Sequence, residues 1–268
     1  MGSRARFADS LHAQFGALLD FQFAQLAPIP VLPKDVCERL GSYDVTIPPS
    51  RWFAPGNQDL TGLIYLVSIA KQIDARSIFE IGTYNGVTAL TLAMNLPNTV
   101  VHTLDLAPDD NPELPVDDGD RSNFCFRSVA RVFEAREESC RIVQHFGDSA
   151  KFDFSPFRKQ IDVVYVDGAH TFDYVRNDSA VAFDMASEKS AIVWDDYGRR
   201  TPGVPRYLDS SVNGNIFRIP RSRLVARFSP GSVPCVFGGE GAERCITGRD
   251  GPPAIAGEAN VGKLLRRG

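Results

Sequence analysis

Three aspartates stand directly after two apolar stretches of the chain, in positions where their carboxylates could act together. Asp167 ends the stretch IDVVYVD, and Asp195 and Asp196 end the stretch SAIVWDD, 28 and 29 positions later. If the two stretches are neighbouring parallel strands, the three carboxylates lie close together at the carboxyl ends of those strands. They then repel one another unless a cation is bound. Oxygen ligands of this kind suit Mg²⁺ or Mn²⁺ rather than zinc. The alternative is that each aspartate caps the turn or helix that comes after it.

His170 lies three positions after Asp167, at the start of the next predicted helix. An imidazole accepts a proton near neutral pH, so we expect His170 to act as a general base or to orient a substrate. A divalent cation beside it would lower the pKa of a substrate hydroxyl and hold its oxygen in line for displacement. The alternative is a histidine at a helix N-terminus that only contacts the backbone.

Two glycines and two further acids come after the other predicted strands. Gly82 and Gly86, in EIGTYNG (80–86), allow a sharp turn and a close approach to a ligand. Their spacing is not that of a dinucleotide fingerprint, and no phosphate-loop lysine is present, so a diphosphate binder such as a dehydrogenase is disfavoured. Asp105 could accept hydrogen bonds from ribose hydroxyls, and Asp148 from an adenine amino group. Turn glycines and a capping acid are the alternative interpretation.

The elements that must position these residues alternate between short apolar strands and helices from residue 58 onward. Strands are predicted at 77–82, 99–106, 141–148, 161–167 and 190–196. Helices are predicted at 58–73, 86–95, 121–137, 171–186 and 204–211. This alternation indicates a doubly wound α/β fold, with a parallel sheet covered on both faces. The stretches NIFRIP and RLVARF have no helix between them and are expected to be antiparallel at one sheet edge.

Composition narrows the class of protein. The chain has 268 residues, 43% of them hydrophobic, and a formal net charge of -4, so nothing favours nucleic acid as a partner. No apolar run approaches the roughly 20 residues of a membrane span, and polar residues interrupt the N-terminal apolar positions, so a cytoplasmic protein is expected. The five cysteines form no C-x-x-C pair and suggest neither a disulfide framework nor a zinc site.

Taken in order, EIGTYNG, the acid of HTLDL, GDS and VDGAH…WDDY resemble class I S-adenosylmethionine-dependent methyltransferases. Small-molecule O-methyltransferases of the catechol O-methyltransferase type and bacterial sugar O-methyltransferases of macrolide and aminocoumarin pathways are the most similar groups. The resemblance covers about residues 58–228. It implies a Rossmann-like, seven-stranded, mostly parallel sheet whose last strand is antiparallel. It also implies S-adenosyl-L-methionine as cofactor. The methionine portion would be bound by Glu80, Gly82, Thr83, Tyr84 and Gly86, and the ribose by Asp105 and Leu106. The adenine would be bound by Gly147, Asp148 and Ser149, with Asp167 nearby.

The same resemblance bears on the metal and the base. The spacing from Asp167 to Asp195 fits the metal-dependent members, in which Asp or Asn comes next, as Asp196 does here. Catechol-type members place a lysine base where this chain has His170. Some sugar methyltransferases place an aspartate two positions after the metal acid, where this chain has Ala169. The catalytic residues implied here are His170 and Asp167, and His170 as the candidate base departs from both patterns.

The predicted function is methyl transfer to a hydroxyl of a small molecule, a sugar or phenolic natural product, with Mg²⁺ or Mn²⁺ assisting deprotonation. The alternatives are a metal-independent methyltransferase and a non-catalytic cofactor-binding protein of the same fold. We expect an N-terminal helical cap (1–57), a methyltransferase domain (58–228) and a Gly/Pro-rich tail (229–268). The cap, with Trp52, and the acidic loop 107–120 are expected to flank the acceptor. The partner is a small hydroxylated substrate, with neither nucleic acid nor membrane, and a homo-oligomer stays open.

Overall fold

The computed structural model describes residues 29–49, 53, 56–107, 109–123 and 131–238. Its centre is a seven-stranded sheet in the order β3-β2-β1-β4-β5-β7-β6. The strands are β1 Ser77–Ile81, β2 Val100–Asp105, β3 Ile142–Phe146, β4 Ile161–Val166, β5 Ala186–Trp194, β6 Ile216–Arg218 and β7 Val225–Phe228. The predicted Rossmann-like α/β class is confirmed, since the first five strands pair in parallel and reverse their order beside β1.

Seven helices accompany the sheet within the described residues. They are α1 Lys34–Leu40, α2 Leu60–Gln72, α3 Val87–Asn95, α4 Asp118–Asn123, α5 Phe172–Met185, α6 Gly203–Ser211 and α7 Val233–Phe237. The helix α2 begins where the Asp59 side chain accepts a 2.8 Å hydrogen bond from the Gly62 N–H. None of the helices in this part of the chain is long and apolar enough to cross a bilayer.

The two faces of the sheet bury separate apolar clusters, because successive strand side chains point to opposite faces. In β4, Val163 and Tyr165 pack with α1, α2, α3 and α7, whereas Val164 and Val166 pack with α5 and α6. Both faces are thus covered, which matches the nearly uninterrupted apolar sequence of the central strands. The parallel strands also all end on the same side of the sheet, so the residues that come after them lie there together.

The strand β7 is the antiparallel member, and it lies between β5 and the edge strand β6. Trp194, the last residue of β5, pairs with Val225, the first residue of β7. Because β7 runs in the reverse direction, its beginning meets the end of β5. Residues just before Val225 therefore lie on the same side of the sheet as the residues after β1, β2 and β4.

Two predicted segments differ from the structure. The helix predicted over 121–137 is α4, which begins earlier because Asp117 Oδ1 accepts a 2.9 Å hydrogen bond from the Asp120 N–H. Residues 124–130 lie outside the described part, and a 3₁₀ turn at Glu137–Arg141 precedes β3. In the predicted tail, Val233 and Val236 of α7 are buried in the core. Residues 1–28 of the predicted N-terminal cap lie outside the described residues.

Candidate active site

A cavity of about 200 Å³ opens at the carboxyl ends of β1, β2 and β4. This is the place where parallel α/β sheets bind ligands. Its wall brings together most of the predicted site residues with several that were not predicted. The lining residues are Gly56, Ile81, Gly82, Tyr84, Leu104, Asp105, Leu106, Pro112, Val116, Asp120, Gly147, Asp148, Ser149, Asp167, Gly168, Ala169, His170, Tyr174, Asp196 and Arg223.

Gly82 is required where the ends of β1 and β4 approach each other. Its φ of +103° lies in a region that L-residues rarely adopt, and a Cβ there would lie 2.6 Å from the Asp167 carbonyl carbon. The Asp167 N–H donates a 2.8 Å hydrogen bond to the Ile81 carbonyl, and the Gly82 N–H donates a 2.9 Å bond to Leu104. The glycine thus holds the predicted cofactor loop and the predicted metal acid side by side.

Three predicted cofactor residues, Glu80, Thr83 and Gly86, are not in the cavity wall. Glu80 is buried and accepts a 2.5 Å hydrogen bond from Thr103 Oγ1, which lies 2.7 Å from Thr83 Oγ1. Burial raises the pKa of Glu80 to about 8, although the Thr103 bond opposes the shift, so this carboxyl is protonated at neutral pH. These residues support the loop from behind, and their direct contact with the cofactor stays a prediction.

The predicted adenine-side acid, Asp148, is fixed by protein donors. Its Oδ2 accepts hydrogen bonds from the Tyr174 hydroxyl at 2.9 Å and the Glu113 N–H at 2.5 Å. Its Oδ1 accepts from the Ala150 N–H at 2.8 Å. These bonds tie the acidic loop 107–120 to the cavity wall. The predicted ribose acid, Asp105, also lines the cavity, and its Oδ1 accepts the Leu106 N–H at 2.9 Å.

The predicted metal acids are only partly brought together. Ligand atoms of Asp167, His170 and Asp196 all lie within 4.8 Å of one another. The His170 Nε2 is 2.7 Å from Asp196 Oδ2 and 4.0 Å from Asp167 Oδ1. The shorter contact is an ion contact rather than an aligned hydrogen bond, because Nε2 makes no hydrogen bond of acceptable geometry. Two of the three predicted acids therefore meet at the cavity, with His170 as the third member.

The third predicted acid, Asp195, is not a member of this group, and its role as a ligand stays a prediction. It is 3% exposed, and its Oδ2 faces Arg223 Nη2 at 3.2 Å and the Tyr165 hydroxyl at 3.3 Å. Its Oδ1 accepts a 2.6 Å hydrogen bond from the Asp196 N–H. With both oxygens held by protein donors, Asp195 serves here as the partner of Arg223.

His170 is held between two carboxylates. Asp120 accepts hydrogen bonds from the His170 backbone N–H at 2.9 Å and faces its ring Nδ1 at 2.5 Å, and Asp196 faces Nε2. Burial by itself would lower the pKa of His170, but the contacts with Asp120 and Asp196 outweigh it and raise the pKa well above its usual range. The two carboxylate contacts fix the ring in place, which favours the second predicted role, orientation, and a base role stays a prediction.

The two aspartates at the cavity differ in their electrostatic environments. Burial, together with the charges of Asp195 and Asp196, raises the pKa of Asp167 well above its usual range. For Asp196, burial also raises the pKa, but the contact with His170 and the charge of Arg223 outweigh burial and lower it. Asp196 therefore carries a firmly held negative charge, whereas Asp167 binds a proton more readily.

Asp120 and Arg223 are the site residues that the sequence interpretation missed. The acids of loop 107–120 were expected to be solvated, yet Asp120 is only 5% exposed. In the sequence, Asp117 can cap a helix, and this pattern indicates that α4 begins early enough to bury Asp120. Arg223 lay in a predicted edge strand, and its place depends on the direction of β7. Trp52, predicted near the acceptor, lies outside the described residues.

Comparisons with known proteins agree with this geometry. Residues 79–197, less than half of the chain, match a family model described as a methyltransferase domain. No curated protein sequence matches the chain. The S-adenosylhomocysteine-bound methyltransferase PaMTH1 from Podospora anserina aligns with 85% of this chain and 97% of its own, at 14% identity and a TM-score of 0.50.

Two further solved structures are similar at lower scores. The O-methyltransferase TomG from Streptomyces achromogenes, involved in tomaymycin synthesis, shares 17% identity over 78% of this chain and 95% of its own, with a TM-score of 0.42. An O-methyltransferase from Bacillus cereus shares 14% identity over 79% of this chain and 97% of its own, with a TM-score of 0.43. The family match and the shared fold agree with the resemblance: residues 79–197 are similar to a methyltransferase domain, and the sheet has the fold of the S-adenosylhomocysteine-bound PaMTH1.

Proposed function

We propose that the protein transfers a methyl group from S-adenosylmethionine to a hydroxyl of a small molecule, a sugar or a phenolic natural product. The observation that supports this most is the composition of the cavity wall. It joins the predicted ribose and adenine positions, Asp105 and Asp148, to the polar group of Asp167, His170 and Asp196. A cofactor held by the first two would present its sulfonium methyl towards the other three.

The residues at the acceptor end fit a divalent cation in part. Asp167 and Asp196 offer carboxylate oxygens of the kind that Mg²⁺ and Mn²⁺ prefer, and His170 Nε2 lies beside them. We include a divalent cation in the proposal, held by Asp167 and Asp196. When bound, such an ion lowers the pKa of an acceptor hydroxyl and stabilises its oxyanion.

The protein's own groups would then complete the reaction. With the ion bound, Asp167 would be a metal ligand. Without an ion, Asp167 would be the better proton acceptor at the cavity, because burial and the charges of Asp195 and Asp196 favour its protonated form. His170, fixed by Asp120 and protonated, would donate a hydrogen bond that orients the acceptor oxygen. The oxygen would form a bond to the methyl carbon as the carbon–sulfur bond breaks, leaving S-adenosylhomocysteine. The hydroxyl proton would pass to solvent when the ion is bound, and to the Asp167 carboxylate when it is not.

Metal-independent transfer is the second candidate, and one specific observation favours it. His170 and Arg223 already contact Asp196, so two protein cations neutralise the acids without any ion. In that case the cation of the proposal is unnecessary, and orientation by His170 together with proton transfer to Asp167 supplies the catalysis.

The test is release of S-adenosylhomocysteine with a panel of phenolic and sugar acceptors, before and after chelation with EDTA and with Mg²⁺ restored. Loss on chelation and recovery with Mg²⁺ are expected, along with loss of at least about tenfold in Asp167→Asn, which corresponds to about 1.4 kcal/mol in the barrier. Asp184→Asn is a matched control, since that acid pairs with Arg158 at the protein surface. Full activity after chelation would leave the metal-independent candidate.

A further inference from the structure

The reversed strand β7 brings a fixed cation to the acid cluster. Arg223 precedes β7 by two residues, and its carbonyl accepts a 2.9 Å hydrogen bond from the Tyr197 N–H. Its backbone is therefore fastened beside the end of β5. From there the guanidinium reaches back over both acids that come directly after β5.

Arg223 binds the two acids with different nitrogens. Its Nε lies 3.0 Å from Asp196 Oδ1, and its Nη2 lies 3.2 Å from Asp195 Oδ2. The planar fork of a guanidinium allows this two-point contact, which an ammonium cannot reproduce. The side chain of Asp195 is 1% exposed and that of Arg223 is 44% exposed. The buried acid is thus neutralised by a cation that has open space to move into.

One of the two acids that Arg223 binds, Asp196, is also an acid that would hold the divalent ion of the proposed function. An ion bound by Asp167 and Asp196 lies close to the Arg223 guanidinium, because Asp196 belongs to both sets. Like charges at such a distance repel. Withdrawal of Arg223 towards solvent would remove its charge from Asp196 and so leave that carboxylate more available to an ion.

We propose that Arg223 is a tethered competitor of the divalent cation, a positioning residue that lowers the affinity of the site for metal and keeps the metal-free acids neutralised. This inference rests on the proposed metal-assisted function for its ligand, but it concerns how the chain itself controls access to the acids. In this proposal, β7 not only pairs in the sheet but also positions Arg223 beside the acids.

The experiment is Mn²⁺ binding to the full chain, measured by the loss of the electron paramagnetic resonance signal of free Mn²⁺. The variants are Arg223→Gln, which removes the charge, and Arg223→Lys, which keeps the charge but loses the fork. The control is Arg221→Gln, an exposed arginine in the same β6–β7 turn. Thermal unfolding of each variant with and without Mn²⁺ gives a second readout that does not depend on activity.

We expect Arg223→Gln to bind Mn²⁺ at least about tenfold more tightly than the wild type, because a repelling charge is removed. Arg223→Lys should lie between them, and Arg221→Gln should equal the wild type. Without metal, Arg223→Gln should unfold at a lower temperature and regain the difference when Mn²⁺ is added. Tighter binding by Arg223→Gln supports the inference even if the wild type binds no Mn²⁺ at millimolar concentration.

Equal or weaker Mn²⁺ binding by Arg223→Gln, or no binding by either protein, would overturn the inference. The proposed function is judged separately by chelation. A wild type that loses methyl transfer in EDTA, together with an Arg223→Gln variant of unchanged affinity, would refute the role of Arg223 alone. Full methyl transfer in EDTA would remove the metal from the proposed function, whatever the binding result.

Discussion

Replacing Gly82 by alanine should damage both the fold and the cofactor site. The φ of +103° at this position is costly for an L-residue, at about 1–3 kcal/mol. The new Cβ would also lie 2.6 Å from the carbonyl carbon of Asp167, and that atom belongs to the backbone, so no side-chain rotation relieves the clash. Overpacking of this kind costs about 1–3 kcal/mol more, which gives a total of about 2–6 kcal/mol.

The assay is urea unfolding of Gly82→Ala with calorimetric titration of S-adenosylhomocysteine into the folded fraction. We expect the free energy of unfolding to fall by the amount above and the affinity to fall at least about tenfold, because the clash separates β1 from the turn after β4. Gly198→Ala is the matched control, since a Cβ there meets nothing within 4 Å. A Gly82→Ala protein as stable as this control, with unchanged affinity, would refute the argument that a close backbone approach shapes the site.

Three other substitutions test separate parts of the molecule. Asp59→Ala removes the cap of α2 and should lower the free energy of unfolding by about 1 kcal/mol in urea titrations. Burial lowers the pKa of His102 and His145, whose ring nitrogens lie 3.1 Å apart, so the unfolded chain binds more protons. The stability from this pair should be complete above about pH 6.5 and decrease as the pH falls below it, and His145→Gln should flatten that decrease in unfolding measured from pH 7.5 to 5. Asp120→Asn should lower kcat by roughly tenfold or more through the loss of a charged contact to His170, with nearly unchanged affinity for S-adenosylhomocysteine, and an unaltered kcat would contradict the positioning role.

The sequence was sufficient to predict the sheet and the residues at the ends of its parallel strands. Apolar stretches of strand length indicated β1, β2 and β4, and parallel strands deliver the residues after them to one edge. Asp105, Asp148 and Asp167 therefore share a cavity, as predicted. These residues are placed by the direction of their own strands, which the βα alternation reveals.

The rest of the site depends on contacts between segments distant in sequence. Asp195 and Asp196 both pair with Arg223, which precedes a strand whose reversed direction brings it to the site. Asp120 is buried only because loop 107–120 folds back over the cavity and meets His170. Neither contact leaves a periodic pattern in the sequence, since each joins one residue to another through tertiary packing.

Calorimetric titration of S-adenosylhomocysteine into the wild type and Asp105→Ala is the decisive measurement for the cofactor site, because it needs no knowledge of the acceptor. We expect one binding site per chain and an affinity at least about tenfold lower in Asp105→Ala, whose fold is checked by circular dichroism. Absence of binding by the folded wild type, or equal binding by both proteins, would contradict the assignment of this cavity to the methyl donor.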